Sequence, residues 1–578
     1  MAEIAGVSRD KQASAVAEEA RPPHGGRLMA DALRRQGIDT IFTLGGGHIV
    51  ELLDGCIDAG IRVVDMRHEG AASMAAEGWA LVTGSTGVAA VTAGPGFTNA
   101  LTGFVDACVG NVPMVLVAGR TALRQAGRGA VADVDQRAIA MPVAKWAATC
   151  HRGEMIGRLT EEAVHRARSE RPGAVYLEVP HDVLGMRGAV VDGDATAGFP
   201  RELSRGSAAP GDVARAVAAI EDAARPVMLA GSGAFWSGAG GQIARLCEVA
   251  HVPVITTSAA RGLVPDSHRW CLGSLVNASV ALVCADVVVV LGSAFNANLL
   301  YGGPPLFGPD QVVIQVDVDS GQLGGNRLPD IALRGDVAGV VTSIVEARPT
   351  APDTRVAWLD EARSLVQFSR DSWATQVSAH HGSRIHPGAL AREVAAFARD
   401  VGRSGVTLVA DGGDSMTWAL GYFEAEGPGR LLTTTTAFGT LGVGLPFALA
   451  AQLARPGEPV ILLSGDGAFG LSAMELDSAV RHHLPVVVVV ANNAGWGDVR
   501  HHQSMAFGRE VGSDLRDTRY DLLAAALGGH GEHVRDIAEL RPALDRALES
   551  RVAAVVNVET DPAVVSELLV TMMQLGVM

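Results

Sequence analysis

Cysteine is scarce, with six residues in a chain of 578. Cys56, Cys108, Cys150, Cys247, Cys271 and Cys284 stand apart in apolar surroundings, without the spacing of a metal site or a disulfide framework. They read as core residues of a reduced, cytoplasmic protein. Positive charge is short as well. A formal net charge of -16 argues against a nucleic-acid partner and an anionic membrane surface, though not against small anionic ligands. No run approaches the roughly 18 apolar residues of a membrane span. The opening segment, MAEIAGVSRDKQASAVAEEARPPHGG, mixes charges and lacks a continuous apolar stretch, so it does not read as a signal peptide. Residues 1–25 read as a mobile tail. No repeat of solenoid period is visible.

What is present is a long alternation of apolar runs, Gly-rich turns and Ala-rich helical stretches. At about 150 residues per domain the length suggests three domains, and the alternation predicts α/β folds with doubly wound parallel sheets. Residues 26–195 form the first series, with strands expected at Ile41 to Leu44, Ile61 to Met66, Val88 to Ala93 and Pro113 to Ala118. Residues 196–348 form a second, Rossmann-like series with runs at Pro226 to Ala230, Val254 to Thr257, Val287 to Leu291 and Val312 to Val316. Its Gly231-Ser232-Gly233 is a poor dinucleotide fingerprint and reads at least as well as a Gly-rich turn. Residues 349–386, with two prolines and then a polar helix, read as a linker. Residues 387–560 form a third series, which shares its pattern with the first, and residues 561–578 a C-terminal segment.

The third series carries the strongest motif. The run Val460 to Ser464 ends at Gly465-Asp466-Gly467, and the run Pro485 to Ala491 ends at Asn492-Asn493. Both read as buried parallel strands. The segment between them has a helical pattern, with Leu471, Met474 and Ala479 expected on one side, long enough for a right-handed crossover. Asp466 and Asn493 therefore arrive together at the carboxyl ends of neighbouring strands, where open α/β sheets bind ligands. A carboxylate and an amide oxygen suit magnesium, which keeps phosphate oxygens or water in its other positions. The glycines let backbone amides approach those phosphates.

This arrangement resembles the thiamin diphosphate motif of the thiamin diphosphate-dependent enzymes, the acetolactate synthase-like superfamily. The resemblance implies pyrimidine-binding, central and diphosphate-binding domains in that order, with thiamin diphosphate and Mg2+ as cofactors. It assigns Asp466, Asn493 and the Gly495 carbonyl to magnesium. It places Gly412, Gly413, Gly467 and Ala468 at the diphosphate, with the Gly439 carbonyl and the Leu441 wedge holding the cofactor bent. Taken alone, Glu69 reads as a dipole-stabilised carboxylate at a helix start. Its segment MRHEGAASMAAEGWA resembles the one whose glutamate protonates the pyrimidine ring and so promotes the nucleophilic thiazolium carbon. About four hundred residues separate Glu69 from Asp466, and in the family the two ends of the cofactor are bound by different subunits. That implies a homodimer as the smallest active unit, within a homotetramer.

Two branches of the superfamily are represented. LGGGHIVELLDGCIDAGIRVVDMRHE, AVADVDQRAIAMPVAKWA and DPAVVSELLVTMMQLGVM resemble benzaldehyde lyase, whose histidine matching His48 handles a substrate hydroxyl proton. Gly47 lies beside it. The active-site glutamine of that enzyme falls at Val131, which counts against aromatic acyloin chemistry. Arg168 to Tyr176, Ala260 to His268, and Asn296 to Gly302 with Val316 to Asp319 resemble the oxalyl-CoA decarboxylase and 2-hydroxyacyl-CoA lyase branch, whose central domain binds ADP and helps hold coenzyme A. Arg171 and Arg261 suit diphosphate oxygens and Asp317 a ribose hydroxyl, although ordinary surface charge explains them equally. The expected function is a lyase acting on a small or branched 2-hydroxyacyl-CoA, with an acyloin or acetolactate-type carboligase as the alternative. Trp496, His501, His502 and Gln503 are expected to line the pocket, and the C-terminal segment to act as a lid.

Overall fold

The computed structural model describes residues 22–188, 198–201, 206–402, 405–434 and 437–576. The tail, up to residue 21, and the expected boundary at 195/196 lie outside the described residues. Three six-stranded parallel sheets follow one another along the chain. The first contains β1 (Thr40–Leu44), β2 (Arg62–Asp65), β3 (Gly87–Val91), β4 (Met114–Arg120), β5 (Trp146–Thr149) and β6 (Val175–Pro180), ordered β2-β1-β3-β4-β6-β5. The second contains β7 (Pro226–Ala230), β8 (Val254–Thr256), β9 (Cys271–Ser274), β10 (Val287–Leu291), β11 (Val312–Asp317) and β12 (Ile331–Arg334), ordered β12-β11-β10-β7-β8-β9. The third contains β13 (Thr407–Asp411), β14 (Leu431–Thr433), β15 (Val460–Gly465), β16 (Val487–Asn492), β17 (His530–Val534) and β18 (Ala554–Glu559), ordered β14-β13-β15-β16-β18-β17.

The first and third sheets thus share one winding, and the central sheet has the Rossmann strand order. Helices cover both faces, which is why central strands such as β10 (VVVVL) and β16 (VVVVAN) are apolar without alternation. In the third sheet the winding reverses between β13 and β15. A crevice opens beyond their carboxyl ends and is lined by Gly412 and Gly413 after β13 and by Asp466 after β15. The helix Glu69–Thr83 of the first domain packs along Gly444–Ala454 of the third. Gly78 permits this approach, since a Cβ there would lie 2.9 Å from Phe447.

Two expectations change. The segment after Asp466 is not one crossover helix but two short ones, Asp466–Ser472 and Glu475–Arg481, and Leu471 and Met474 are 61% and 46% exposed. Only Ala479 faces the core. The break lets the Glu475 carboxylate, at the start of the second helix, accept the Arg67 backbone N–H, with both oxygens at 3.1 Å. The 349–386 stretch is also more than a linker. It contains the helix Thr354–Ser378, whose Trp358, Leu359, Ala362 and Val366 are buried against the central domain. Fully buried Arg355 anchors it by donating to the carbonyls of Ala223 (3.1 Å), Ala250 (2.7 Å) and Glu221 (2.9 Å), and to that of Ile220.

Removing that guanidinium leaves several buried carbonyls without a donor, each costing about 1–3 kcal/mol. Arg355→Ala should therefore lower stability by about 3 kcal/mol or more, read as an earlier urea midpoint. A midpoint within error of the parent would show that the helix does not depend on this anchor.

Candidate active site

The carboxyl ends of β13, β15 and β16 open into a cavity of about 890 Å³ that continues to the central domain at Ser232, Ser293 and Asn296. Its organisation starts with Asp411, which is 1% exposed and accepts backbone N–H groups from Gly412 (2.7 Å), Gly442 (3.1 Å) and Gly444 (2.9 Å). One carboxylate thereby ties the turn after β13 to the loop carrying Gly439 and Leu441. Burial raises Asp411 to about 6, against the pull of those amides. Asp466 is equally enclosed, with Oδ2 accepting the Gly495 N–H at 3.1 Å, and burial raises it to about 6 as well.

The turn after β16 is strained and held. Ala494 has φ +53°, a left-handed conformation unusual for a residue with a Cβ. Its N–H reaches Asn492 Oδ1 at 3.2 Å, and Arg500 donates to the carbonyls of Asn493 (3.3 Å) and Ala494 (2.9 Å). The side-chain oxygen of Asn493 is left buried with no hydrogen-bond partner. An orphaned amide oxygen beside a buried carboxylate is a hard donor set, and its chemistry fits a magnesium ion carrying phosphate. Gly412, Gly413, Gly439, Leu441, Gly467, Ala468, Gly495 and Trp496 line the same cavity. Two of these glycines are required by neighbours as much as by a ligand. A Cβ on Gly467 would lie 2.7 Å from the Trp496 ring, and one on Gly413 would lie 2.7 Å from Asp498 Oδ2.

A second cluster forms at the first sheet. Glu69 begins its helix, is 7% exposed, and accepts from Asn99 Nδ2 at 3.0 Å. Gly96 separates it from Thr92, because a Cβ there would meet Thr92 Cγ2 at 2.7 Å and Glu69 Oε1 at 3.4 Å. Thr92 Oγ1 lies 3.1 Å from His48 Nδ1. The His48 ring stands edge-on to His181, with centroids 6.1 Å apart. Burial first, and His181 second, hold the His48 imidazole below its ordinary pKa. Glu69 and His48 therefore lie in one cluster. Neither lines the cavity that contains Asp466 and Asn493.

Other expected residues are dispersed. Arg261 reaches the cavity wall, yet it is 3% exposed and its guanidinium is bound by both oxygens of Asp266 and by Thr256 Oγ1. Arg171 pairs with Asp319 at 3.6 Å, and Asp317 Oδ1 accepts the Asp319 N–H at 2.9 Å; neither residue lines the cavity. Gly231 and Gly233 close against Ser293 and Gly292, which is the tight-turn reading of that segment. Of the residues from Trp496 to Gln503, Trp496 lines the cavity, whereas His501, His502 and Gln503 do not, Gln503 being engaged with the Val511 backbone. Gly47 faces open space, and Val131 is 84% exposed. The helix Glu567–Gln574 supplies Leu568, Leu569 and Met572 to one wall. The helix Gly497–Phe507 opens at the cavity with Gly497, Asp498 and Val499, and residues 501–503 lie a turn further along it, beyond the lining.

Three family models match in register with the three sheets. They are the N-terminal TPP binding domain, the central domain and the C-terminal TPP binding domain of thiamine pyrophosphate enzymes, at residues 23–139, 213–344 and 411–558. The chain is 38% identical over 548 residues to "Acetolactate synthase large subunit IlvG" of Mycobacterium tuberculosis, covering 94% of this chain and 97% of that one. It is 34% identical over 551 residues to "2-hydroxyacyl-CoA lyase 2" of Homo sapiens, covering 89% and 85%. It is 30% identical over 547 residues to "2-hydroxyacyl-CoA lyase 1" of Mus musculus, covering 91% and 92%. With all three domains matched in order and relatives aligned along nearly the whole length, the chain belongs to the thiamine pyrophosphate-dependent enzymes.

Proposed function

We propose that this enzyme is a thiamin diphosphate- and magnesium-dependent lyase that cleaves a small or branched 2-hydroxyacyl-CoA, such as 2-hydroxyisobutyryl-CoA, to formyl-CoA and an aldehyde or ketone, and runs in reverse as a condensation. The observation that supports it most is the cluster of Glu69, Thr92 and His48. It brings the residue that would set the cofactor's protonation near an imidazole whose pKa burial lowers, which favours the uncharged form that can accept the proton of a 2-hydroxyl. The cofactor supplies a nucleophilic carbon and a place to hold the electron pair released when the carbon–carbon bond breaks.

The protein's share is positional. Asp466, Asn493 and the Gly495 carbonyl would hold the magnesium, and Gly412, Gly413, Gly467 and Ala468 the diphosphate. The Gly439 carbonyl would accept the pyrimidine amine, and Leu441 would support the bent shape. Glu69 would hold a proton at the pyrimidine nitrogen. Because Glu69 and His48 stand outside the cavity of Asp466 and Asn493, a second copy of the chain is the natural source of the missing half, with Gly47 and Val131 on the exposed surface it would meet. This supports a homodimer as the smallest active unit.

One observation favours the alternative, an acetolactate synthase-like carboligase acting without coenzyme A. Among the described residues lining the cavity the single basic side chain is Arg261, and Asp266 already binds it. The ADP and coenzyme A contacts expected of Arg171, Arg261 and Asp317 would thus need other groups, such as the serines and asparagines of the central-domain wall.

Purified enzyme with thiamin diphosphate and magnesium should convert 2-hydroxyisobutyryl-CoA to formyl-CoA and acetone, and turn over pyruvate slowly or not at all. Absence of product from several 2-hydroxyacyl-CoAs, with ready formation of acetolactate, would overturn the lyase reading. Asp466→Ala should weaken magnesium and cofactor binding at least tenfold by calorimetric titration. Glu69→Gln should retain the cofactor yet slow proton exchange at the thiazolium carbon by orders of magnitude. His48→Ala should preserve that exchange and lower turnover.

A further inference from the structure

The helix that begins with Glu69 packs on the helix Pro95–Gly110, and close contacts run down the pair. At the start, Asn99 Nδ2 donates to Glu69 at 3.0 Å, and a Cβ on Gly70 would lie 3.1 Å from the Asn99 carbonyl oxygen. One turn on, Ser73 donates to the Ala100 carbonyl at 2.8 Å, and a Cβ on Gly103 would lie 2.7 Å from the Met74 nitrogen. After a further turn the carboxyl of Glu77 faces that of Asp106. Both residues are 0% exposed, and neither Glu77 oxygen receives an N–H or a hydroxyl. From the third domain, the Thr434 hydroxyl donates to Asp106 Oδ2 at 3.4 Å.

Among the described residues, the elements packed on the Glu69 helix offer this pair no cation. That helix, Pro95–Gly110, Gly444–Ala454 and strands β1, β3 and β14 contain no Lys, Arg or His. Strand β4 ends in Arg120, which is bonded to Glu178 at 2.7 Å. Arg455, just beyond Gly444–Ala454, donates to the carbonyls of Val82 (3.2 Å), Gly429 (2.7 Å) and Pro428 (3.1 Å). His68 and Glu69 stand two turns away at the helix start. Cys108, on the helix of Asp106, is held as a neutral thiol, since burial and then the Glu77 charge push it up to about 12. Two carboxylates facing each other away from water and cations repel strongly, whereas one proton between them turns the contact into a hydrogen bond. Burial, and after it the charge of Asp106, accordingly holds Glu77 well above the ordinary carboxylate range.

We infer that Glu77 and Asp106 share one proton and form the second of two pins that set the Glu69 helix against Pro95–Gly110, so that this proton keeps Glu69 in place against Asn99. The spacing of the pins fits one register. Glu77 follows Glu69 by two turns, an advance of about 12 Å, and Asp106 follows Asn99 by two turns, an advance of about 10.5 Å. A slide of the helices that parted the lower pair would therefore draw Glu69 off Asn99. Glu77 and Asp106 are positioning residues, as neither lines the cavity. The bearing of the pair on catalysis rests on the role proposed for Glu69; the shared proton does not.

Glu77→Gln keeps the shape of the side chain and can donate to Asp106 without a titratable proton. The folded wild type holds its proton more tightly than the unfolded chain does, so the stability it contributes is complete below the ordinary glutamate range and is lost as pH rises through the raised value. In thermal unfolding of the full-length protein from pH 5 to 9, Glu77→Gln should gain several degrees on wild type across that range, and Asp106→Asn should gain in the same direction. Differences that do not change with pH overturn the shared proton. The infrared spectrum of wild type at pH 8 should show the carbonyl stretch of an un-ionised carboxyl that Glu77→Gln lacks. Absence of that band from wild type overturns the proposal independently of how the variants fold.

Positioning of Glu69 is read as proton exchange at the thiazolium carbon of the bound cofactor, which needs no substrate. Glu77→Ala should slow this exchange at least tenfold at pH 7, and Glu77→Gln should restore most of it. Between pH 7 and 9 the wild-type rate should fall at least threefold relative to that of Glu77→Gln. A wild-type rate in Glu77→Ala, or a ratio of wild type to Glu77→Gln that stays constant with pH, overturns the positioning. Normal exchange in Glu69→Gln would refute the role proposed for Glu69 and leave the shared proton standing on the unfolding and infrared results.

Discussion

Backbone amides, rather than cations, hold the buried carboxylates at the ends of the third sheet. Among the described residues no basic side chain bonds Asp411, which collects three N–H groups, and Asp466 accepts the N–H of Gly495. Each N–H comes from a turn that must itself be held in place. The turn after β13, the loop carrying Leu441 and the turn after β16 are therefore positioned by charges they surround. The glycines follow from this. An amide can approach a carboxylate so closely only where backbone crowding is relieved, as at Gly412 with φ +103° or Gly442 with φ +85°. A cavity built this way spends Asp411 on its own frame and leaves Asp466 at the wall to meet a ligand that brings positive charge.

Much of the fold is legible in the chain because the central strands are buried on both faces and spell themselves as unbroken apolar runs. Pro226–Ala230 and Val287–Leu291 begin and end where those runs do. Edge strands carry a weaker signal. Trp146–Thr149 is only half-buried along its length, and His530–Val534 is polar, so neither shows an apolar run or a clear alternation. The crossover after Asp466 misleads for another reason. Leu471 and Met474 look like a helix face, but the helix breaks between them so that Glu475 can reach a different domain.

The site divides along similar lines. Asp466 and Asn493 are readable since residue type, strand end and spacing agree. The cluster of Glu69, Thr92 and His48 gathers a helix start and two strand ends around Gly96 and has no signature in any one of them. Arg500, seven residues after Asn493, clamps the carbonyl of a left-handed alanine, a role that no residue type or spacing in the chain announces. Arg261 shows the converse error: a basic residue at a strand end suggests a phosphate, whereas Asp266, five residues later, already occupies it.

The placement of Glu69 and His48 away from the cavity of Asp466 and Asn493 also bears on how the enzyme is assembled. In the proposed pairing, a cofactor gripped at one end by one chain and at the other by a second would be a ligand of the assembly rather than of either chain. By mass action it would strengthen the association of the chains, and dilution would loosen both at once. Cofactor supply would then regulate the amount of enzyme that exists in paired form, as well as the fraction of sites that are filled.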